Sequence, residues 1–199
     1  MGTTAAQLRR DPRATRTEEA ILEATRELLI EVGVRGLTIE GVAARAGVAK
    51  TTVYRRWKSK EELALAVLFE MVKIVDVADL GNIRDELIAF VNFAVRILGK
   101  TLMGRVMQGL VSDFASNEEL GTAFREQVIS KRLAEVHRLI QRGVERGELR
   151  PDVDPVLVQE LLVGPVYYRH LLSGRKLDGR LAERIVDTVL PGIRAEATD

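Results

Sequence analysis

The side chains best placed to do chemistry lie in one short run, Lys50, Thr51, Thr52, Tyr54, Arg55 and Arg56, with Lys60 close behind and no acid between Lys50 and Lys60. Ammonium, guanidinium and hydroxyl groups all donate hydrogen bonds. Along one side of a helix they suit non-covalent recognition: cations meet phosphate oxygens, and shorter side chains reach acceptors on base edges in the major groove of duplex DNA. Covalent chemistry finds no such grouping. His137 and His170 are the only histidines, on separate helical patterns with no carboxylate at metal-motif spacing on the same face. The absence of cysteine excludes a thiolate nucleophile, a thiolate metal site and a disulfide framework. No glycine-rich phosphate loop follows a strand, because no strand is legible. The expectation is therefore a protein without catalytic residues, metal or cofactor.

Two short helices must position the donor run. Ile39, Val42, Ala43 and Ala46 fall at i, i+3, i+4 and i+7, which puts four apolar side chains on one face of a helix that Thr38 can cap. Gly47 supplies the positive φ that stops it, Val48 plugs the crevice beneath, and a second helix runs from about Ala49 to Trp57 with Val53 turned inward. The unit is a helix-turn-helix, and its second helix is the reader. Lys60 and Tyr54 are expected to hold phosphates, and Lys50, Thr51, Thr52 and Arg55 to face base edges; Thr38 and Arg45 complete the expected DNA-contacting set.

Here the chain resembles the tetracycline-repressor (TetR) family of bacterial transcription regulators. The resemblance runs from about Thr17, through TIEGVAARAGV, to KTTVYRRWKSKEEL, with Tyr54, Trp57 and Lys60 filling the family's tyrosine, aromatic and lysine places. Ala49 departs from it, standing where a capping serine is common, at a local cost of about 1 kcal/mol.

Charge and composition frame this unit. Net charge is +1, but residues 1–60 carry 12 Lys or Arg against 7 Asp or Glu, and the remainder 18 against 22. The basic end is the nucleic-acid end, and the rest is expected to stand away from DNA. Arg9, Arg10 and Arg13 lie in a segment without apolar periodicity, read as a flexible arm over residues 1–16 of the kind that can enter a minor groove. The DNA-binding domain is expected over 17–63, beginning with a helix whose inner face is Ile21, Ala24, Thr25, Leu28, Leu29 and Val32 and whose end is Gly33. With no apolar run of about 18 residues and no signal-peptide layout, no membrane partner is expected and the cytoplasm is the default location.

From residue 64 to 199 the pattern is all-α, giving about nine helices in the whole chain. Leu65, Leu68, Phe69, Val72 and Val75 mark a fourth helix, and a fifth runs from Ile83 to about Lys100. A shorter segment spans Val106 to Phe114, and a long seventh helix capped by Ser116 or Asn117 ends at Gly147. Asp154 and Pro155 open an eighth helix that Gly174 closes, and Arg180 to about Leu190 is the ninth. Resemblance to the family implies that this part binds a small apolar or amphipathic effector and forms a homodimer. Phe93, Met103, Met107, Phe114 and Tyr167 are the candidate pocket linings, because aromatic and methionine side chains make adaptable apolar walls. Two adjacent apolar stripes on the ninth helix, with the eighth helix beside it, mark the candidate dimer interface; Leu161, Tyr168, Leu172, Leu181, Ile185 and Val189 represent it.

The expected function is a dimeric repressor on a palindromic operator, released when effector binding shifts the arrangement of the fourth helix. A DNA-binding protein without an effector is the alternative. An enzyme carrying a DNA-binding module is a weaker third.

Overall fold

A computed structural model describes residues 12–71, 76–99 and 101–195. Among them the only non-helical pairing is one antiparallel bridge between Leu149 and Arg194. The chain divides into two compact units, Met1–Val67 and Leu68–Asp199.

In the first unit α1 spans Pro12–Glu31, beginning earlier than Thr17 because proline's fixed φ is compatible with a first helical turn. Arg13 and Arg16 therefore belong to a helix, while Arg9 and Arg10 lie outside the described residues. Ile21, Leu22, Ala24, Thr25 and Leu29 are buried along α1. Val32, expected on that face, is half exposed: the chain turns away at Gly33, whose φ is +68°, into the single turn Gly33–Gly36. Helix α2, Ile39–Ala46, is capped by Thr38, whose hydroxyl accepts from the Gly41 N–H at 3.0 Å, and it stops at Gly47, φ +68°.

Helix α3 is Lys50–Tyr54, shorter than the run to Trp57 that the spacing predicts, and Ala49 provides no side-chain cap. The N–H of Trp57 still donates to the Val53 carbonyl at 3.1 Å, and both side chains are buried. Helix α4, Lys60–Met71, follows at once; Ser59 accepts from the Glu62 N–H at 3.2 Å and Glu62 accepts from the Lys58 N–H at 2.6 Å, a reciprocal clasp at its start. The expected continuation through Val72 and Val75 lies outside the described residues.

The second unit contains α5, Ile83–Leu98, capped by Asn82, and α6, Leu102–Ser116, capped by Thr101. The long helix α7 comprises Glu118–Phe124, a π turn at Arg125–Ile129 and Ser130–Glu145, with Asn117 as its cap. Helix α8 is Pro155–Tyr168, opened by Asp154 and followed by a second π turn, Arg169–Ser173, that Gly174 closes at φ +64°. Helix α9 is Leu181–Val189. Leu87, Phe90, Val91, Leu110, Leu139, Leu162 and Val186 have essentially no exposed surface and form the core.

Helix α9 departs from expectation. Leu181, Ala182, Ile185, Val186 and Leu190 are buried within the chain, α9 packs on α5, and Arg84 grips Asp187 with two hydrogen bonds of 2.7 and 3.0 Å. Both apolar stripes were needed for one chain's core, so Leu181 and Ile185 do not form a free apolar face.

One glycine in this unit is required by contact. A Cβ on Gly104 would lie 2.5 Å from the Leu98 carbonyl oxygen and 2.7 Å from that of Gly99, and backbone cannot step aside cheaply. Gly104→Ala is expected to cost about 1–3 kcal/mol of stability, read as a lower urea midpoint at unchanged slope.

Candidate nucleic-acid interface and effector cavity

The donor row rests on a packed base. Val53 is fully buried and Trp57 nearly so, which fixes α3 through its inner side and leaves Thr51, Tyr54 and Arg55 exposed and Thr52 half-buried. The cations around this row are not equally free. Lys50 pairs with Glu40 at 2.9 Å, on a fully exposed pair that water and salt weaken. Arg56 is tied to Glu18 and also donates to the Ala14 carbonyl at 3.4 Å. Arg45 sends both arms of its guanidinium to Glu31, each at 2.8 Å, and reaches Glu27 at 3.2 Å, so it clasps α2 to α1. Lys60 donates to the carbonyls of Val34 and Arg35, both at 3.4 Å, so it satisfies backbone acceptors at the end of the Gly33–Gly36 turn. Thr38 is occupied as a cap. Among the described residues Arg55, at the carboxyl end of α3, has no acid partner.

The ion pairs set local proton affinities. The hydrogen bond from Arg45 holds the Glu31 carboxyl below the usual glutamate range, and the one from Lys50 does the same for Glu40. Arg45 is held above its ordinary value, first by Glu31 and then by Glu27.

In the second unit a largely apolar cavity opens among Leu68 of α4 and helices α5 to α8. Of the five residues the sequence proposes for it, Phe93, Met103, Met107 and Tyr167 line it. Phe114 does not; it stacks on Phe124, ring centroids 4.8 Å apart, and Phe124 provides the wall. The sequence reading missed Leu68, Ile97, Val128, Arg132, Gln159 and Val163. Residue type alone does not distinguish a cavity wall from core for the apolar ones, nor from solvent for Arg132 and Gln159.

Arg132 is buried, with its guanidinium carbon 4.0 Å from the Phe90 ring centroid and 4.6 Å from that of Phe93. It pairs with buried Glu135 and donates to the Phe90 carbonyl at 3.1 Å, while Glu135 accepts from the Val77 N–H at 2.8 Å. Burial pushes the Glu135 carboxyl up and the Arg132 guanidinium down, and their mutual attraction opposes both shifts. Burial also raises the Tyr167 phenol.

Exposed apolar surface gathers on α8. Leu157, Leu161, Tyr168 and Leu172 are exposed by 51, 46, 59 and 77%. Leu161 also lines a shallow groove with Pro165, Leu181, Ile185 and Val189, so the proposed interface residues adjoin even though α9 faces inward. His170 donates from Nε2 to the Gly104 carbonyl at 2.8 Å and His137 is exposed; among the described residues no His, Asp or Glu cluster could hold a metal ion. No single helix there is long and apolar enough to cross a membrane.

Residues 21–67 match the family described as "Bacterial regulatory proteins, tetR family", and residues 77–189 match "Tetracyclin repressor-like, C-terminal domain". A DNA-binding transcriptional repressor TetR of Mycobacteroides abscessus is 32% identical over 182 residues, covering 88% of this chain and 95% of that protein. The HTH-type transcriptional regulator YdeS of Bacillus subtilis is 28% identical over 185 residues, 92% of this chain and 93% of that one. The crystal structure of the TetR family transcription regulator SCO0332 superposes with a TM-score of 0.74 at 32% identity, over 89% of this chain and 98% of that chain.

The Arg45 clasp generates a pH dependence. Because Glu31 has a lowered folded-state pKa, its contribution is present above the unfolded glutamate value and is lost as pH falls through the folded one. The gap in melting temperature between the protein and its Glu31→Gln variant is expected to be open at pH 7 and to close below about pH 4. Thermal melts across that range check it.

Proposed function

The chain belongs to the tetracycline-repressor (TetR) family of regulatory proteins, and from that premise we propose that it is a dimeric repressor, released from a palindromic operator by a small effector. Its place of work is the cytoplasm. The observation that carries the reading is the outer side of α3, where Thr51, Thr52, Tyr54 and Arg55 are presented over the buried Val53 and Trp57. Residues 17–63 form the DNA-reading part and 64–199 the effector and dimer part. Lys50 joins the readers at small cost, because an exposed pair such as Lys50–Glu40 is weakened by water and salt and can be exchanged for a phosphate or base contact. Arg45 and Lys60 act mainly by holding the reading helix pair in shape.

Dimerisation runs through α8. Its exposed ridge of Leu157, Leu161, Tyr168 and Leu172 is of the kind that marks a partner surface, and a twofold axis beside it would set each ridge on the groove between α8 and α9 of the second copy. Two half-site readers follow from that symmetry. For release, Leu68 on α4 lines the cavity while Leu63 of the same helix is buried in the DNA-reading part. An effector that prefers a different setting of Leu68 therefore biases α4 and, through it, the spacing of the readers. Repression is supported by the name of the Mycobacteroides abscessus relative.

Two experiments test this. With a duplex selected from a random-sequence pool, Arg55→Ala is expected to reduce the slope of log affinity against log salt by about 1; an unchanged slope and unchanged sequence preference in fluorescence anisotropy would remove Arg55 from the interface. The double change Tyr168→Glu and Leu172→Glu is expected to give a folded monomer in sedimentation velocity with greatly weakened duplex binding. A dimer that survives it places the interface elsewhere.

A further inference from the structure

The cavity wall carries polar groups that the fold leaves unused. Gln159 is only 7% exposed, lines the cavity, and makes no side-chain hydrogen bond among the described residues. The Tyr167 hydroxyl, on the same wall, makes none either. Gln159, Val163 and Tyr167 stand at i, i+4 and i+8 on one face of α8, so the two polar groups flank an apolar residue along a single line. Neither group is sealed off by protein: the one enclosed side-chain polar atom without a partner among the described residues is Nη2 of Arg146, which does not line this wall. The amide and the hydroxyl therefore open onto the void, and a leucine of similar size at position 159 would fill the same space while offering a ligand no donor.

Charge narrows what could meet them. Among the described residues Arg132 is the only charged side chain on the wall, and Glu135 already neutralises it. An anionic ligand would leave this largely desolvated cluster with an unmatched negative charge, and a cationic one would face Arg132 directly. Donors predominate among the available groups: the Gln159 amide N–H, the Tyr167 O–H and the remaining N–H groups of Arg132, beside the acceptor oxygens of Gln159 and Tyr167. Taking the cavity as the effector site, on which this step rests, we infer that it is built for an uncharged, largely apolar compound whose carbonyl oxygen accepts hydrogen bonds from Gln159 and Tyr167. Ketones, esters and lactones share that chemistry.

The test uses the full chain and Nile red, an uncharged carbonyl-bearing dye, with displacement by 2-decanone, decanoate or decyltrimethylammonium. 2-Decanone is expected to displace the dye at roughly tenfold lower concentration than either ion. Gln159→Leu should weaken 2-decanone about five- to tenfold without lowering the melting temperature of the unliganded protein; Tyr167→Phe should weaken it similarly and carries the test if the leucine variant fails to fold. Failure of the unmodified protein to bind Nile red would overturn the reading of the cavity as an effector site and this inference with it. Dye binding with decanoate as the best competitor would overturn this inference alone. So would 2-decanone affinity untouched by both variants, or a lowered melting temperature in Gln159→Leu, which would make the amide a structural group.

Discussion

Two carboxylates taken out of water dictate how the larger unit is assembled. Glu86 and Glu135 are 0 and 1% exposed, and a buried carboxylate without donors would be prohibitively unfavourable. Their partners come from the same two places. Arg142 of α7 and Arg146 just past its end reach Glu86 at 3.1 Å and Arg132 of α7 pairs with Glu135, while the N–H groups of Leu80 and Val77 complete the sets at 3.2 and 2.8 Å. Helix α7 is thus fixed against α5 and the segment before it by charge as well as by packing. Moving α7 would unpair several ions at once, so the wall it gives the cavity is rigid where Arg132 sits.

The smaller unit is held by lighter means. Its acids and cations are mostly exposed, and its order comes from the burial of Val53, Trp57, Val42 and Leu37 together with caps and positive-φ glycines. Such a unit keeps a donor-rich helix presentable without committing every cation. Arg45 and Lys60 are committed, to Glu31 and to backbone carbonyls, while Arg55 is left over. The division of labour among like-charged residues is therefore set by what lies within about 3.5 Å of each, a quantity that residue type does not carry.

That difference explains how far the sequence could be read. The helix-turn-helix and the ends of α8 were legible because Thr38 and Gly47 in the one, and Asp154 and Gly174 in the other, act locally: a cap or a left-handed turn needs only its neighbours. The apolar period placed α5 and α8 for the same reason. The direction of α9 was not legible, since an apolar stripe such as Leu181 and Ile185 looks the same whether its cover is α5 or another molecule. Phe114 shows the same limit, one ring away from the wall it was assigned to. Arg132 and Gln159 were missed because a polar residue in an amphipathic pattern reads as wet, and only a fold can bring it to face a void.

The π turn at Arg125–Ile129 holds one residue more than an α-helix needs, and Val128 and Ile129 within it belong to the cavity wall, as does Phe124 just before it. Deleting one residue there would restore regular α-helix and turn everything on its amino side by about 100° relative to Arg132. Relatives could then diversify this wall through insertions and deletions as readily as through substitutions. Chain length becomes an evolutionary variable for ligand choice, and alignments of such proteins would need to admit single-residue gaps inside a helix.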